Sequence, residues 1–154
     1  MLIAIDTSVL IAGALEGHAF HPRAFVWQQA IHRGELQAMV CAHALTEVYS
    51  VLTKVPNGLS PAEARVVVST IRRRVRVVVP TLQTFLAAIE RCSTRALRSG
   101  AVYDALHVVE AEREGASILL TFNRDDFTRL VDDDRIAIVV PPDPPSTDVK
   151  VSEK

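Results

Sequence analysis

Five short apolar runs, separated by stretches of helical periodicity, constrain this chain more than any other feature. The first is Leu2-Ile3-Ala4-Ile5, followed at once by Asp6-Thr7-Ser8, side chains that cap helices, and then by Val9-Leu10-Ile11-Ala12. That order is strand, turn, helix. Further runs at residues 36–42, 76–79, 117–121 and 136–140 read as strands. Between them, Pro22 opens a helix that closes at His32-Arg33-Gly34, and residues 43–55 form a helix stopped by Pro56-Asn57-Gly58. Ser60-Pro61-Ala62-Glu63 is a capping box for a helix through Arg74. Helices are also expected over 81–95, 101–114 (closed by Gly115) and 126–131. Such alternation predicts an α/β fold, with a mostly parallel five-stranded sheet and helices on both faces. One domain is expected over residues 1–140. Pro141-Pro142-Asp143-Pro144-Pro145 then marks residues 141–154 as a flexible tail.

Charge is the property most easily misread. Seventeen Lys plus Arg against eighteen Asp plus Glu give a net charge of -1, which would argue against a nucleic-acid partner. Divided along the chain, however, residues 1–64 carry a net -2, residues 65–98 a net +7 and residues 99–154 a net -6. The middle third contains Arg65, Arg72, Arg73, Arg74, Arg76, Arg91, Arg95 and Arg98. Two cysteines, Cys41 and Cys92, make no disulfide framework, and no Cys/His spacing suggests a zinc site. The N-terminus lacks the pattern of a signal peptide and no apolar run is long enough to cross a membrane, so a cytoplasmic protein is expected.

Three carboxylates stand in unusual places. Asp6 follows the first strand, at the edge where parallel sheets bind ligands; taken alone it is an ordinary helix cap. Glu47 has Ala44 and Val51 as its neighbours at i-3 and i+4, so it lies toward the apolar side of its helix. Asp104 has Ala101, Ala105 and Val108 around it, while the other acids of its helix, Glu110, Glu112 and Glu114, gather at the far end. A single such residue is accounted for by a buried ion pair. Two, together with a strand-end Asp, are accounted for more economically by a shared cation. Polar groups also follow the fourth strand, in Thr121-Phe122-Asn123-Arg124-Asp125-Asp126, where a capped turn is the plainer account. All-oxygen ligation suits Mg2+, with Mn2+ as the alternative ion, and points to metal-assisted phosphodiester hydrolysis.

Ile3-Ala4-Ile5-Asp6-Thr7-Ser8-Val9-Leu10, the helical Glu47, Val102-Tyr103-Asp104-Ala105-Leu106-His107 and Leu120-Thr121-Phe122-Asn123-Arg124-Asp125-Asp126-Phe127 together resemble the PIN domain. More narrowly, the chain is similar to the VapC-type toxins of prokaryotic toxin–antitoxin systems. The resemblance runs in order over about residues 1–140 and implies a three-layer α/β/α sandwich. It also implies a Mg2+-dependent endoribonuclease, usually a homodimer, held inactive by a cognate antitoxin. Carried onto this sequence, it makes Asp6, Glu47 and Asp104 the main acidic positions, with Asp6 and Asp104 as direct metal ligands. The fourth position departs from the family pattern. Either Asn123 binds through its carbonyl or a water, or Asp126 supplies the carboxylate. Ser8 and Thr121 are expected to hydrogen-bond within the site.

The resemblance gives the arginines a role as well. Arg72, Arg73 and Arg74, the stripe Arg91, Arg95 and Arg98, and Arg124 would track an RNA backbone or pair with an acidic antitoxin; the plainer account of the block is a solvated face. Trp27, with Phe25 and Phe20, reads as core or dimer packing. Competing readings keep the metal but change the substrate, to DNA or a phosphomonoester, or drop catalysis for a metal-holding interaction module. A haloacid-dehalogenase-type phosphatase would require an Asp where Ser8 stands. A phosphoacceptor receiver would require its Asp after a middle strand.

Overall fold

The computed structural model describes residues 1–132 and 135–142, and the expected tail lies outside the described residues from 143 onward. The elements run β1 (Leu2–Ile5), α1 (Thr7–Ala14), α2 (His21–His32), β2 (Gln37–Cys41), α3 (Ala42–Lys54), α4 (Pro61–Arg74), β3 (Arg76–Val78), α5 (Leu82–Thr94), α6 (Ala101–Arg113), β4 (Ile118–Leu120), α7 (Arg124–Thr128) and β5 (Ala137–Val139). Local signals set most of these boundaries. Ser60 and Glu63 close the capping box from both sides, with Ser60 N–H donating to Glu63 Oε2 at 2.8 Å and Glu63 N–H to Ser60 Oγ at 3.3 Å. Gly34 and Gly115 follow α2 and α6 at φ 73°, where a side chain would be strained. The last helix differs from expectation, occupying 124–128 rather than 126–131. The Asn123 carbonyl accepts from Asp126 N–H and Phe127 N–H, starting the helix two residues early, and Phe127 and Leu130 are then fully buried.

The five strands form one sheet of order β3-β2-β1-β4-β5, with every pairing parallel. Strand side chains alternate between faces, and the two resulting cores confirm the layers. Ile3, Ile5, Ala38, Val40 and Leu120 pack with Val9, Leu10, Val48, Leu52 and Ala64 of α1, α3 and α4. Ala4, Met39, Val78 and Leu119 pack with Ala88, Leu106, Val108 and Phe127 of α5, α6 and α7. Trp27 packs against the first of these cores. Strand runs of nearly unbroken apolar residues are what a sheet covered on both faces requires.

The order reverses between β1 and β4. The chain leaves β1 for α1 on one face and leaves β4 for α7 on the other, so the two exits diverge and open a crevice at the carboxyl edge. No helix among the described residues is long and apolar enough to cross a membrane.

Candidate active site

Asp6 ends β1 at that crevice and is 4% exposed. It occupies the N-cap position of α1 with extended backbone, yet its carboxylate makes no cap hydrogen bond. Instead Asp6 Oδ2 accepts from Ser8 Oγ at 2.6 Å and from Thr121 Oγ1 at 2.8 Å. Each hydroxyl is itself fixed, because Ser8 Oγ accepts from Phe122 N–H and Thr121 Oγ1 from Asn123 N–H. The two strand exits are therefore tied across the crevice through one carboxylate oxygen. Asp6 Oδ1 points the other way, 3.8 Å from His107 Nε2.

Two helices bring in the remaining acids. Since α3 starts directly after β2, its second turn stands over the same edge and presents Glu47. Glu47 Oε2 accepts from Thr7 Oγ1 at 2.7 Å, and Oε1 lies 3.5 Å from His43 Nε2. Asp104 enters from the first turn of α6. Burial pushes its carboxyl up to about 7, and the charges of Asp6, Asp126 and Glu47 add to the shift, with Arg129 opposing. The charges of all four acids thus act on one another at this edge. Asp126, half-buried, accepts from Arg129 Nη2 at 2.7 Å. Asn123 is exposed and contributes its backbone rather than its side chain to the local bonding.

Three polar residues at the site are given no role by the sequence reading. Thr7 fixes Glu47. His43 and His107 face each other with ring centroids 4.3 Å apart. Burial pulls His107 down to about 4, with Asp6 pulling upward and His43 downward. Burial likewise lowers His43, against the pull of Glu47, the Tyr103 carbonyl and Asp6. Both rings are neutral at physiological pH and offer lone pairs. Helical spacing held the signal, with His43 four residues before Glu47 and His107 three after Asp104.

The arginines divide into unlike sets. Arg91 makes a bidentate pair with Glu112, at 2.9 and 2.7 Å, with side chains 15% and 10% exposed, and also donates to the Leu130 carbonyl. Arg95 donates to Asp132 Oδ1 at 2.5 Å and to the Arg129 and Val131 carbonyls. These two strap α5 to α6 and to the segment after α7, so the expected stripe of Arg91, Arg95 and Arg98 is not a single solvated face. Arg72, Arg73 and Arg74 are exposed but end α4 just before β3 begins, at the amino edge of the sheet, opposite the carboxylates. Arg98 and Arg124 are exposed at the edge that holds the site, Arg98 just before α6 and Arg124 as the first residue of α7. Phe20 stacks on Phe122 at 4.6 Å beside this edge, with the Arg23 guanidinium over both rings.

The chain resembles known proteins in sequence and in fold. Residues 3–132 match the family model of the PIN domain. Ribonuclease VapC40 of Mycobacterium tuberculosis is 34% identical over 129 residues, covering 77% of this chain and 84% of that protein. Ribonuclease VapC27 of the same organism is 34% identical over 122 residues, covering 75% and 81%. Among solved structures, the sarcin–ricin-loop-cleaving toxin VapC20 of Mycobacterium tuberculosis has a TM-score of 0.67 at 23% identity, covering 82% of this chain and 93% of that one. DNA-bound VapBC of Salmonella typhimurium has a TM-score of 0.66 at 18% identity, covering 91% and 98%. Likeness at those identities speaks to the fold.

Proposed function

Because this chain belongs to the PIN domain family, we propose that it is a metal-dependent endoribonuclease, the toxin of a toxin–antitoxin pair. The observation that carries the reading is the convergence of Asp6 at the end of β1, Glu47 on α3 and Asp104 in the first turn of α6 on one crevice, where burial and its acidic neighbours push the Asp104 carboxyl upward. Clustered carboxylates with this much unmet negative charge fit a divalent cation, and their all-oxygen donor set fits Mg2+ or Mn2+. Asp6 and Asp104 would hold the ion. When bound, such an ion supplies a water of lowered pKa and a clamp on phosphoryl oxygens.

The chain's own groups do the positioning. Ser8 and Thr121 lock Asp6 through Oδ2 and leave Oδ1 turned inward. Thr7 anchors Glu47 through Oε2, so that Oε1 can take a proton from the water attacking phosphorus. Asp126, whose charge acts on Asp104, fits the place of a fourth carboxylate, while Asn123 is exposed and engages through its backbone. Arg98 and Arg124, exposed on the site edge, would hold RNA phosphates.

The VapC relatives support RNA as substrate, and the VapBC neighbours support an antitoxin as partner. An apolar groove lined by Leu10, Phe25, Ile31, Val67 and Ile71, with Arg74 at its rim, suits an amphipathic antitoxin segment. The exposed apolar residues Leu82, Leu86 and Ile89 of α5 suit pairing with a second copy. The test is cleavage of structured RNA by the purified protein. Activity is expected with Mg2+ and should vanish with EDTA and in Asp6→Ala and Asp104→Ala. Cleavage that persists in both variants would overturn the reading. Asn123→Ala should retain activity where Asp126→Ala loses it.

A further inference from the structure

Two buried imidazole nitrogens beside the acidic crevice have no hydrogen-bond partner among the described residues: His43 Nε2 and His107 Nε2. His107 is 4% exposed, so the missing partner is not bulk water. A buried polar atom left unpaired costs about 1–3 kcal/mol, and each such atom calls for an explanation. Here the two face one another and a carboxylate. One ligand atom from each of His43, Glu47 and His107 lies within 4.8 Å of the other two.

Local geometry aims these atoms. His43 Nδ1 is engaged by Cys41 Sγ at 3.0 Å, which turns Nε2 toward Glu47 and His107. Glu47 Oε2 is held by Thr7, which leaves Oε1 on the histidine side, 3.5 Å from His43 Nε2. His43 and Glu47 are one turn apart on α3, and His107 stands opposite on α6. Each ligand thus sits on a helix, and metal–ligand bonds of about 2.0–2.2 Å, which put ligand atoms roughly 3.5 Å apart, would draw the trio together by side-chain rotation.

The donor set separates this place from the carboxylate cluster by chemistry. Two imidazoles and one carboxylate suit late first-row ions, whereas Mg2+ prefers oxygen throughout and keeps its waters. We propose that His43, Glu47 and His107 form a second, nitrogen-rich cation site that takes Zn2+ or a related late first-row divalent ion in preference to Mg2+. The site shares Glu47 with the acidic cluster and adjoins Asp6, whose Oδ1 is 3.8 Å from His107 Nε2. An ion there withdraws Glu47 from the hydrolytic arrangement. If the proposed ribonuclease reading holds, Zn2+ therefore inhibits cleavage through a named pair of histidines.

The test needs no RNA and so stands apart from the ribonuclease reading. The metal-stripped full chain is titrated with Co2+, a spectroscopic stand-in for Zn2+, in excess Mg2+. One equivalent should generate ligand-field absorption bands that Zn2+ then displaces. His43→Gln and His107→Gln, checked for folding by circular dichroism, should each weaken Zn2+ binding at least tenfold. His32→Gln, on the exposed end of α2, should leave it within a factor of about three. On the unmodified protein, nitrogen NMR should show the Nε2 resonances of His43 and His107 moving on addition of one Zn2+, which guards against variants that fail to fold. Absence of bands, or unmoved Nε2 resonances, or equal binding by the histidine variants, would remove the site.

Discussion

At Asp104 the protein holds a carboxyl group that would rather be neutral. Its folded value, about 7, lies above the ordinary aspartate value of 3.8, because burial and Asp6, Asp126 and Glu47 disfavour the charge. Between those two values the folded chain keeps a proton that the unfolded chain has released. Stability from this group is therefore complete below about pH 4 and is lost as pH rises toward 7. His107 works in the opposite sense, since its depressed value of about 4 makes it lose stability as pH falls below 6.5. A comparison with Asp104→Asn isolates the first effect. In metal-free buffer the variant's melting temperature should gain on the parent's from pH 4 to pH 7 and hold constant above. Equal pH profiles would refute the assignment. Mg2+ should raise the parent's melting temperature more at pH 8 than at pH 5, as a ligand of the ionised form does. At this scale the sequence was partly readable. Apolar neighbours at i-3, i+1 and i+4 marked Asp104 as out of place, and the family resemblance put Ser8 and Thr121 in the site, but that both hold the same oxygen of Asp6, Thr121 from 115 residues away, is set by packing.

Elements supply what single residues cannot, namely a fixed direction. The helices α5 and α6 pack side by side, and Arg91 joins them through its bidentate pair with Glu112. With both side chains largely buried, removing one partner strands the other charge, at a cost of about 3–5 kcal/mol. Arg91→Ala should lower the denaturant midpoint accordingly, whereas Arg72→Ala, on an exposed helix end, should stay within about 0.5 kcal/mol. Equal effects would show that the two arginines are equivalent surface charges. Spacings of four and three along a helix cannot separate these cases, because periodicity says which residues share a face and not what covers it. Element boundaries were more legible. The Ser60–Glu63 box and Gly115 act within a turn of chain, so they are written in neighbouring residues. α7 was misjudged because the Asn123 carbonyl, not a side chain, begins it.

For the whole molecule, the sheet has two unlike edges, and the reversal of strand order between β1 and β4 fixes which one carries the acidic crevice. Arg98 and Arg124 stand on the crevice edge and Arg72, Arg73 and Arg74 on the other. Single-stranded RNA should therefore feel the first pair. Arg98→Ala and Arg124→Ala should each lower kcat/KM and reduce the salt slope of RNA binding by about 0.7. Neutralising Arg72, Arg73 and Arg74 together should leave kcat/KM nearly unchanged. The reverse result would place the RNA path on the opposite edge. The sequence by itself determined the α/β architecture, because short apolar runs, capping residues and helix stops act over a few residues and leave a local record. It also marked Asp6, Glu47 and Asp104 as carboxylates in the wrong surroundings. Only the tertiary structure decided their company: which arginines are bound into ion pairs, that Asp126 lies near enough for its charge to act on Asp104, and that His43 and His107 meet. Those relations join segments far apart in the chain, and burial, which sets their charge states, is a property of the packed molecule rather than of any stretch within it.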